Sequence, residues 1–151
     1  MSIQRGDLRP GEKGVQAPDP TDAALRFIGR IETPWATRSD CPHQGDATGP
    51  LCRLIVADLW AEALTGIERH SHLQILYWMD QARRDLVLLS PRSRSEPTGT
   101  FSLRAPTRPN PIASSIVALV ERQGSVVLVR GLDCLDGTPL LDIKPWKGAN
   151  G

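Results

Sequence analysis

The amino-acid sequence predicts a mainly β protein: a small antiparallel β-barrel with one or two short helices. Three observations carry this reading. Apolar and polar residues alternate over several short runs, the signature of half-buried strands. One segment alone, DLWAEALTGI (58–67), repeats its apolar residues at helical spacing. The strand–helix alternation of a doubly wound sheet is missing, as is the GxGxxG turn that carries a dinucleotide's phosphates.

The elements follow in order. Residues 1–23 hold Gly6, Pro10, Gly11, Gly14, Pro18 and Pro20 and almost no large apolar side chain. Such a stretch does not repay its ordering entropy alone. It reads as an N-terminal extension pinned against something else, a neighbouring subunit being one option, and 24–151 reads as the barrel domain. LRFIGRIET (25–33) alternates, with Phe27 and Ile31 on one face and Arg26, Arg30 and Glu32 on the other, until Pro34 stops it. Residues 36–50 are rich in turn formers and read as a long connection. CRLIVA (52–57) is a strand. In the helix at 58–67, Leu59, Trp60, Ala63, Leu64 and Ile67 form the stripe, Asp58 caps and Gly66 marks the end. HLQILYWM (72–79), DLVLLS (85–90) and GTFSLR (99–104) read as strands. SSIVALVER and SVVLVRGL flank Gln123-Gly124 as a hairpin. PLLDIKP (139–145) is the last strand.

Composition narrows the function classes. Hydrophobic residues make up 40% and charged residues 23%, as in ordinary globular domains. No apolar run is long enough to span a bilayer as a helix. The start, MSIQRGDLRPGEKG, lacks the apolar segment of a secretory signal. Cys41, Cys52 and Cys134 form no CxxC pair and read as reduced, cytoplasmic thiols. The net charge is only +1, so nucleic-acid contact needs a local patch. Residues 83–108 supply one: Arg83, Arg84, Arg92, Arg94, Arg104 and Arg108 face only Asp85 and Glu96. Arginine forks suit phosphate and carboxylate.

Three segments carry candidate chemistry. In Arg104-Ala-Pro-Thr-Arg108-Pro109-Asn110-Pro111, two prolines fix their own φ and push Arg108 and Asn110 into extended geometry. The result is a stiff loop presenting a guanidinium and an amide. In GLDCLDGTPLLDIKP (131–145), Asp133 and Asp136 flank a turn whose carboxylates suit ribose hydroxyls or a cation. In Glu68-Arg69-His70-Ser71-His72, two histidines share a strand face. No third metal ligand accompanies them, so no metal is expected. Tyr77 and Trp78 near Asp80-Gln81 could wall a purine pocket or pack in the core. The G-x-S-x-G elbow of a hydrolase is absent.

Together the blocks FIGRIETPW, CPHQG, GIERHSHLQILYWMDQ, GTFSLRAPTRPNPI and GLDCLDGTPLLDIKPW resemble the TsaA-like (YaeB-like) family, from about Leu25 to Trp146. That family is similar to tRNA N6-adenosine methyltransferases of the TrmO type. The resemblance implies a small β-barrel, S-adenosyl-L-methionine as cofactor, a homodimer, and methylation of threonylcarbamoyl-adenosine beside the tRNA anticodon. It carries the cofactor contacts to Gln44, Gly45, Asp46, Asp80, Gln81, Arg104, Ser114, Asp133, Cys134, Leu135 and Asp136. Arg108 and Asn110 belong to the same motif as contacts of cofactor or substrate, and the arginine-rich stretch, Arg92 and Arg94 included, would hold tRNA phosphates. Asp133, Asp136 and Asn110 are the catalytic candidates, with no choice among them. The sequence departs from the family pattern at His43, Gln74, Ala113 and Ser114. Two alternatives stay open: an S-adenosylmethionine-binding regulatory protein, and a methyltransferase with a different acceptor.

Overall fold

The computed structural model describes residues 7–91 and 96–148. Nine strands and four short 3-10 segments are present among them. The chain divides into two compact units: Leu25–Trp78 with Ala113 onward, and the segment up to Ala24 with Met79–Ile112.

The first of these is the expected antiparallel barrel. Its strands are β2 (Gly29–Glu32), β3 (Leu51–Val56), β4 (His72–Trp78), β7 (Ile112–Gln123), β8 (Val126–Arg130) and β9 (Thr138–Trp146). They close in the order β2-β3-β8-β7-β4-β9. Closure leaves no strand edge unpaired. The alternation seen in the sequence supplies the core. Leu73, Ile75 and Tyr77 of β4 point inward, and Ile31, Leu54, Val117, Val127, Val129 and Leu140 meet them, all buried. Each such side chain contributes about 1.5–3 kcal/mol through burial.

Several elements differ from the sequence reading. The first barrel strand covers only Gly29–Glu32; Phe27 lies before it and is exposed. Arg26 instead stacks over the Trp60 ring, 5.2 Å from its centroid. Residues 58–67 are not one amphipathic α-helix. Asp58–Leu64 is a 3-10 helix, followed by another at Ile67–Arg69. Ala57, not Asp58, is the N-cap, and no side chain caps it. Gly66, at φ 88°, separates the two segments, so the stripe does not persist: Leu64 and Ile67 are buried on either side of the break, while Leu59 points to solvent. The hydroxyl of Thr65 donates to the Glu62 carbonyl at 2.7 Å and ends the helix locally. The hairpin turn is Gly124-Ser125, one residue beyond the expected pair, because Gln123 pairs with Val126.

The second unit joins the N-terminal extension to residues 79–112. β1 (Lys13–Gly14), β5 (Leu86–Leu89) and β6 (Thr98–Gly99) form a three-stranded sheet. The stretch 99–104 is therefore not a strand: only Gly99 pairs, and Thr100–Ser102 is 3-10. The described part of the extension is held by its own chain. Arg9 donates to the Ser90 carbonyl at 3.1 Å, and the Ser90 hydroxyl donates to the Pro10 carbonyl at 2.7 Å. The Glu12 carboxylate accepts the amides of Ser90 and Arg9 at 3.0 and 2.9 Å. Partial burial opposes ionisation of Glu12, but those two amides and the charges of Arg9 and Arg83 outweigh it and lower its pKa.

A carboxyl lowered by folding stabilises the docked tail above the ordinary glutamate range and ceases to do so as pH falls through the lowered value. Amide chemical shifts of residues 9–15 are expected to be constant from neutral pH down to about 5 and to move toward unfolded values in strong acid. Glu12→Gln is expected to loosen the tail already at neutral pH. Unchanged shifts in that variant would show that the ionised carboxylate does not hold the extension.

Candidate functional site

In the barrel, the site assembles at the connection between β8 and β9, residues 131–137. Gly131 and Gly137 have φ of 119° and 85°, which lets the chain leave β8 and enter β9 through a tight path. The loop is tied to the chain just after β2. The Asp136 amide donates to the Trp35 carbonyl at 2.8 Å and the Gly137 amide to the Ile31 carbonyl at 2.8 Å. The Asp136 carboxylate accepts the Thr33 amide at 3.0 Å, and the Thr33 hydroxyl donates to the Cys134 carbonyl at 2.8 Å. Asp136 thus acts across the fold, rather than within its own turn.

The connection 36–50 packs onto this loop backbone to backbone. A Cβ at Gly45 would lie 1.7 Å from the Gly131 carbonyl oxygen and 2.5 Å from its carbon. Gly45 is therefore required by close approach, and it brings Gln44 and Asp46, both exposed, beside the 131–137 loop. Asp46 accepts the Thr48 amide at 2.9 Å, and this bond, with that of the Thr48 side chain, lowers its pKa. Arg130 donates to the Gly49 carbonyl at 2.8 Å and secures the far end of the connection.

Asp133 is held from inside the barrel. The Tyr77 hydroxyl donates to its Oδ1 at 2.8 Å and lies 2.8 Å from the Ser115 hydroxyl. Burial, then the negative charge of Asp133, pushes the Tyr77 phenol far above its usual range, so it remains a donor. Among the described residues, Asp133 Oδ2 has no hydrogen-bond partner, and no side-chain polar atom without a partner is buried. Oδ2 is therefore accessible. A carboxylate oxygen is thus presented, a group that matches hydroxyl or ammonium donors of a ligand.

Ser114 occupies the opposite face of β7 from Ser115. Its hydroxyl accepts from Gln74 at 3.0 Å, so the side chain that reaches the Asp133 network is the next one along. The thiols do not look reactive. Burial raises Cys52 to about 11 and Cys134 to about 12, the latter further raised by the Asp133 charge. Burial, followed by the charges of Asp133 and Asp40, also raises Cys41.

The second unit holds the remaining expected residues. The Met79 amide donates to the Pro111 carbonyl at 2.9 Å, placing the exposed turn residues Asp80 and Gln81 beside the proline-rich loop. Arg84 donates to the Pro109 carbonyl at 2.7 Å and to Asn110 Oδ1 at 3.2 Å. The Asn110 amide nitrogen is left to donate outward. Arg108 turns onto its own loop: one guanidinium nitrogen donates to the Leu103 carbonyl at 2.6 Å and lies 3.4 Å from those of Thr100 and Ala105. Arg83 pairs with Asp85 at 2.6 Å. Arg104 is exposed. Arg92 and Arg94 lie outside the described residues. Sequence reading missed Ser115, and it took Tyr77 only as a pocket wall or core residue and Arg84 only as part of the basic patch. The first two sit on the inward face of their strands, where they look like core positions.

The Gly45 contact gives a direct check. Gly45→Ala is expected to cost about 1–3 kcal/mol, as overpacking does, read as a loss of several degrees in Tm. Gly99→Ala, where a Cβ meets nothing within 4 Å, serves as the neutral control. Equal melting temperatures for the two variants would show that the connection does not rest on Gly131.

Comparison with known proteins identifies the family of the chain. A family model described as the tRNA-methyltransferase O N-terminal domain matches residues 30–149. A probable S-adenosyl-L-methionine-binding protein, VirR, from Rhizobium radiobacter is 56% identical over 138 residues, covering 91% of this chain and 79% of the relative. A mouse tRNA (adenine(37)-N6)-methyltransferase is 38% identical over 87 residues, 56% of this chain but only 20% of its own. The crystal structure of TrmO from Pseudomonas aeruginosa superposes with a TM-score of 0.71 at 32% identity, covering 88% of this chain. The chain spans 59% of the length of that solved chain. With four-fifths of its length matched by the family model and the barrel shared with a solved member, the chain belongs to the tRNA-methyltransferase O N-terminal domain family.

Proposed function

We propose that this protein binds S-adenosyl-L-methionine and transfers its methyl group to N6 of threonylcarbamoyl-adenosine beside the tRNA anticodon. The observation that carries the cofactor half is the packing of the Gln44–Asp46 connection on the 131–137 loop, where Asp133 Oδ2 is accessible. An accessible carboxylate oxygen fits a ligand that offers hydroxyl or ammonium donors. The match to the curated S-adenosylmethionine-binding relative supports the same choice. The tRNA half rests on the family and on the mouse relative.

The cofactor, when bound, supplies a methyl group already activated on a sulfonium, so the protein's task is positioning and electrostatics. Asp133 would hold it, assisted by Gln44, Gly45, Asp46, Cys134, Leu135 and Asp136 of the same unit. Asp133 and Asp136 are both carboxylates able to take the proton that the acceptor amine loses. Asn110 has no basic lone pair at neutral pH; with Oδ1 held by Arg84, its NH2 would orient an acceptor. Arg92, Arg94 and Arg108 are the proposed phosphate contacts, and they would make tRNA binding strongly salt-dependent. A cytoplasmic location and a homodimer belong to the same reading. Ile116 and Val120, 40% and 48% exposed on the outer face of β7, suit a subunit contact. No described helix is long and apolar enough to cross a membrane.

Incubation with labelled S-adenosylmethionine and tRNA from cells lacking this gene, followed by nucleoside analysis, is expected to place label on N6-methylated threonylcarbamoyl-adenosine. Cofactor binding without transfer would favour the regulatory alternative. Label on another acceptor would keep the methyltransferase and overturn the tRNA assignment. Sedimentation at tens of micromolar is expected to show a dimer that Val120→Glu weakens, and a monomeric parent would remove that part of the reading.

A further inference from the structure

Tyr77 is 2% exposed and lies on the inward face of β4. A phenylalanine would fill nearly the same space. What the phenol adds is a hydroxyl 2.8 Å from Asp133 Oδ1 and 2.8 Å from Ser115 Oγ. An ionised carboxylate only accepts, so the phenol proton points at Asp133. The Ser115 hydroxyl must then donate to the phenol oxygen. The chain of bonds runs one way, from β7 through β4 to the loop between β8 and β9. Its last link is charge-assisted and part-buried, the stronger class of hydrogen bond. Asp136, the other carboxylate of the loop, is pinned differently, by the Thr33 backbone amide. The two acids therefore have separate supports, and only that of Asp133 can be removed by a one-atom change in a side chain.

We propose that Tyr77 is a positioning residue for the cofactor site: its hydroxyl, itself oriented by Ser115, fixes the Asp133 carboxylate so that Oδ2 faces the bound molecule. This rests on the reading of Asp133 as a cofactor contact. Rotation of an unsupported carboxylate would average Oδ2 over several directions, and each immobilised rotamer has to be ordered again when ligand binds. The phenol supplies that ordering in advance, from a side chain that touches no ligand.

The test is titration calorimetry of S-adenosylmethionine into the full-length protein and its Tyr77→Phe, Ser115→Ala, Asp133→Ala and Tyr77→Phe/Asp133→Ala variants. Amide exchange of residues 131–137 is followed in each without cofactor. Tyr77→Phe is expected to weaken binding about ten- to a hundredfold, the range of a hydrogen bond to a charged group, and to speed exchange in the loop. Ser115→Ala is expected to weaken it by roughly two- to fivefold, as loss of a neutral hydrogen bond would. In the Asp133→Ala background, Tyr77→Phe is expected to change neither affinity nor loop exchange beyond about twofold, because the group it positions is gone. Parent-like affinity in Tyr77→Phe, or equal effects of that change with and without Asp133, would overturn the proposal and leave Tyr77 a packing residue. Should Tyr77→Phe fail to fold, Ser115→Ala alone makes the same comparison with and without Asp133. A parent protein that takes up no heat at millimolar cofactor is a different result: it overturns the assignment of the site itself, and the positioning role with it.

Discussion

Closure of the barrel runs through four residues. β2, Gly29–Glu32, pairs with β3 on one side and β9 on the other. Its one fully buried side chain, Ile31, belongs to the core. Immediately beyond it, Thr33 and Trp35 provide the backbone and hydroxyl groups that hold the loop between β8 and β9. The shortest barrel strand therefore both seals the sheet and anchors the segment carrying Asp133 and Asp136. Displacement of β2 would open the barrel and release that loop together. Such coupling suits a site built on a loop, since loops need rigid supports to hold polar groups within a productive geometry.

The supports come from several directions and are mostly backbone. Gly45 meets Gly131 along the main chain, Asp136 takes a main-chain amide from Thr33, and Arg130 grips the Gly49 carbonyl. Backbone partners tolerate side-chain change around them, so the loop can keep its path while its surface residues vary. The proline-rich loop of the second unit follows a similar rule. Arg108 gathers carbonyls of its own loop and Arg84 takes the Pro109 carbonyl and the Asn110 side chain, so part of the arginine cluster has a structural role.

Much of the barrel was legible because period-two alternation is strong in β3 and β4, and because β8 is a short continuous apolar run ended by turn residues. The 58–67 segment misled because its apolar spacing suits an α-helix, whereas the chain breaks at Gly66 into two 3-10 segments, which bury Leu64 and Ile67 on either side of the break and leave Leu59 exposed. At 99–104 the β-compatible residues Thr100 and Phe101 followed one paired glycine, and nothing local signals that pairing stops there. In the site, Asp133 and Asp136 stood out as paired carboxylates beside a turn. Their supports did not: Tyr77 and Ser115 alternate as core residues should, and their hydroxyls become informative only when three separate segments meet. Gly45 was legible as part of a block, but its reason, a carbonyl eighty-six positions away in the chain, is a tertiary fact.

The docked N-terminal segment has a consequence for how the protein can be handled. β1 covers one side of β5, whose other side is covered by β6. The span shared with the family starts only at residue 30. A chain trimmed to that span would keep most of the barrel's sequence yet strip β5 of its neighbour, leaving main-chain donors and acceptors beside the apolar residues Leu86–Leu89. An uncovered strand of that composition invites pairing with another molecule. Precipitation of such a fragment would reflect a lost edge guard and would say nothing about the integrity of the barrel.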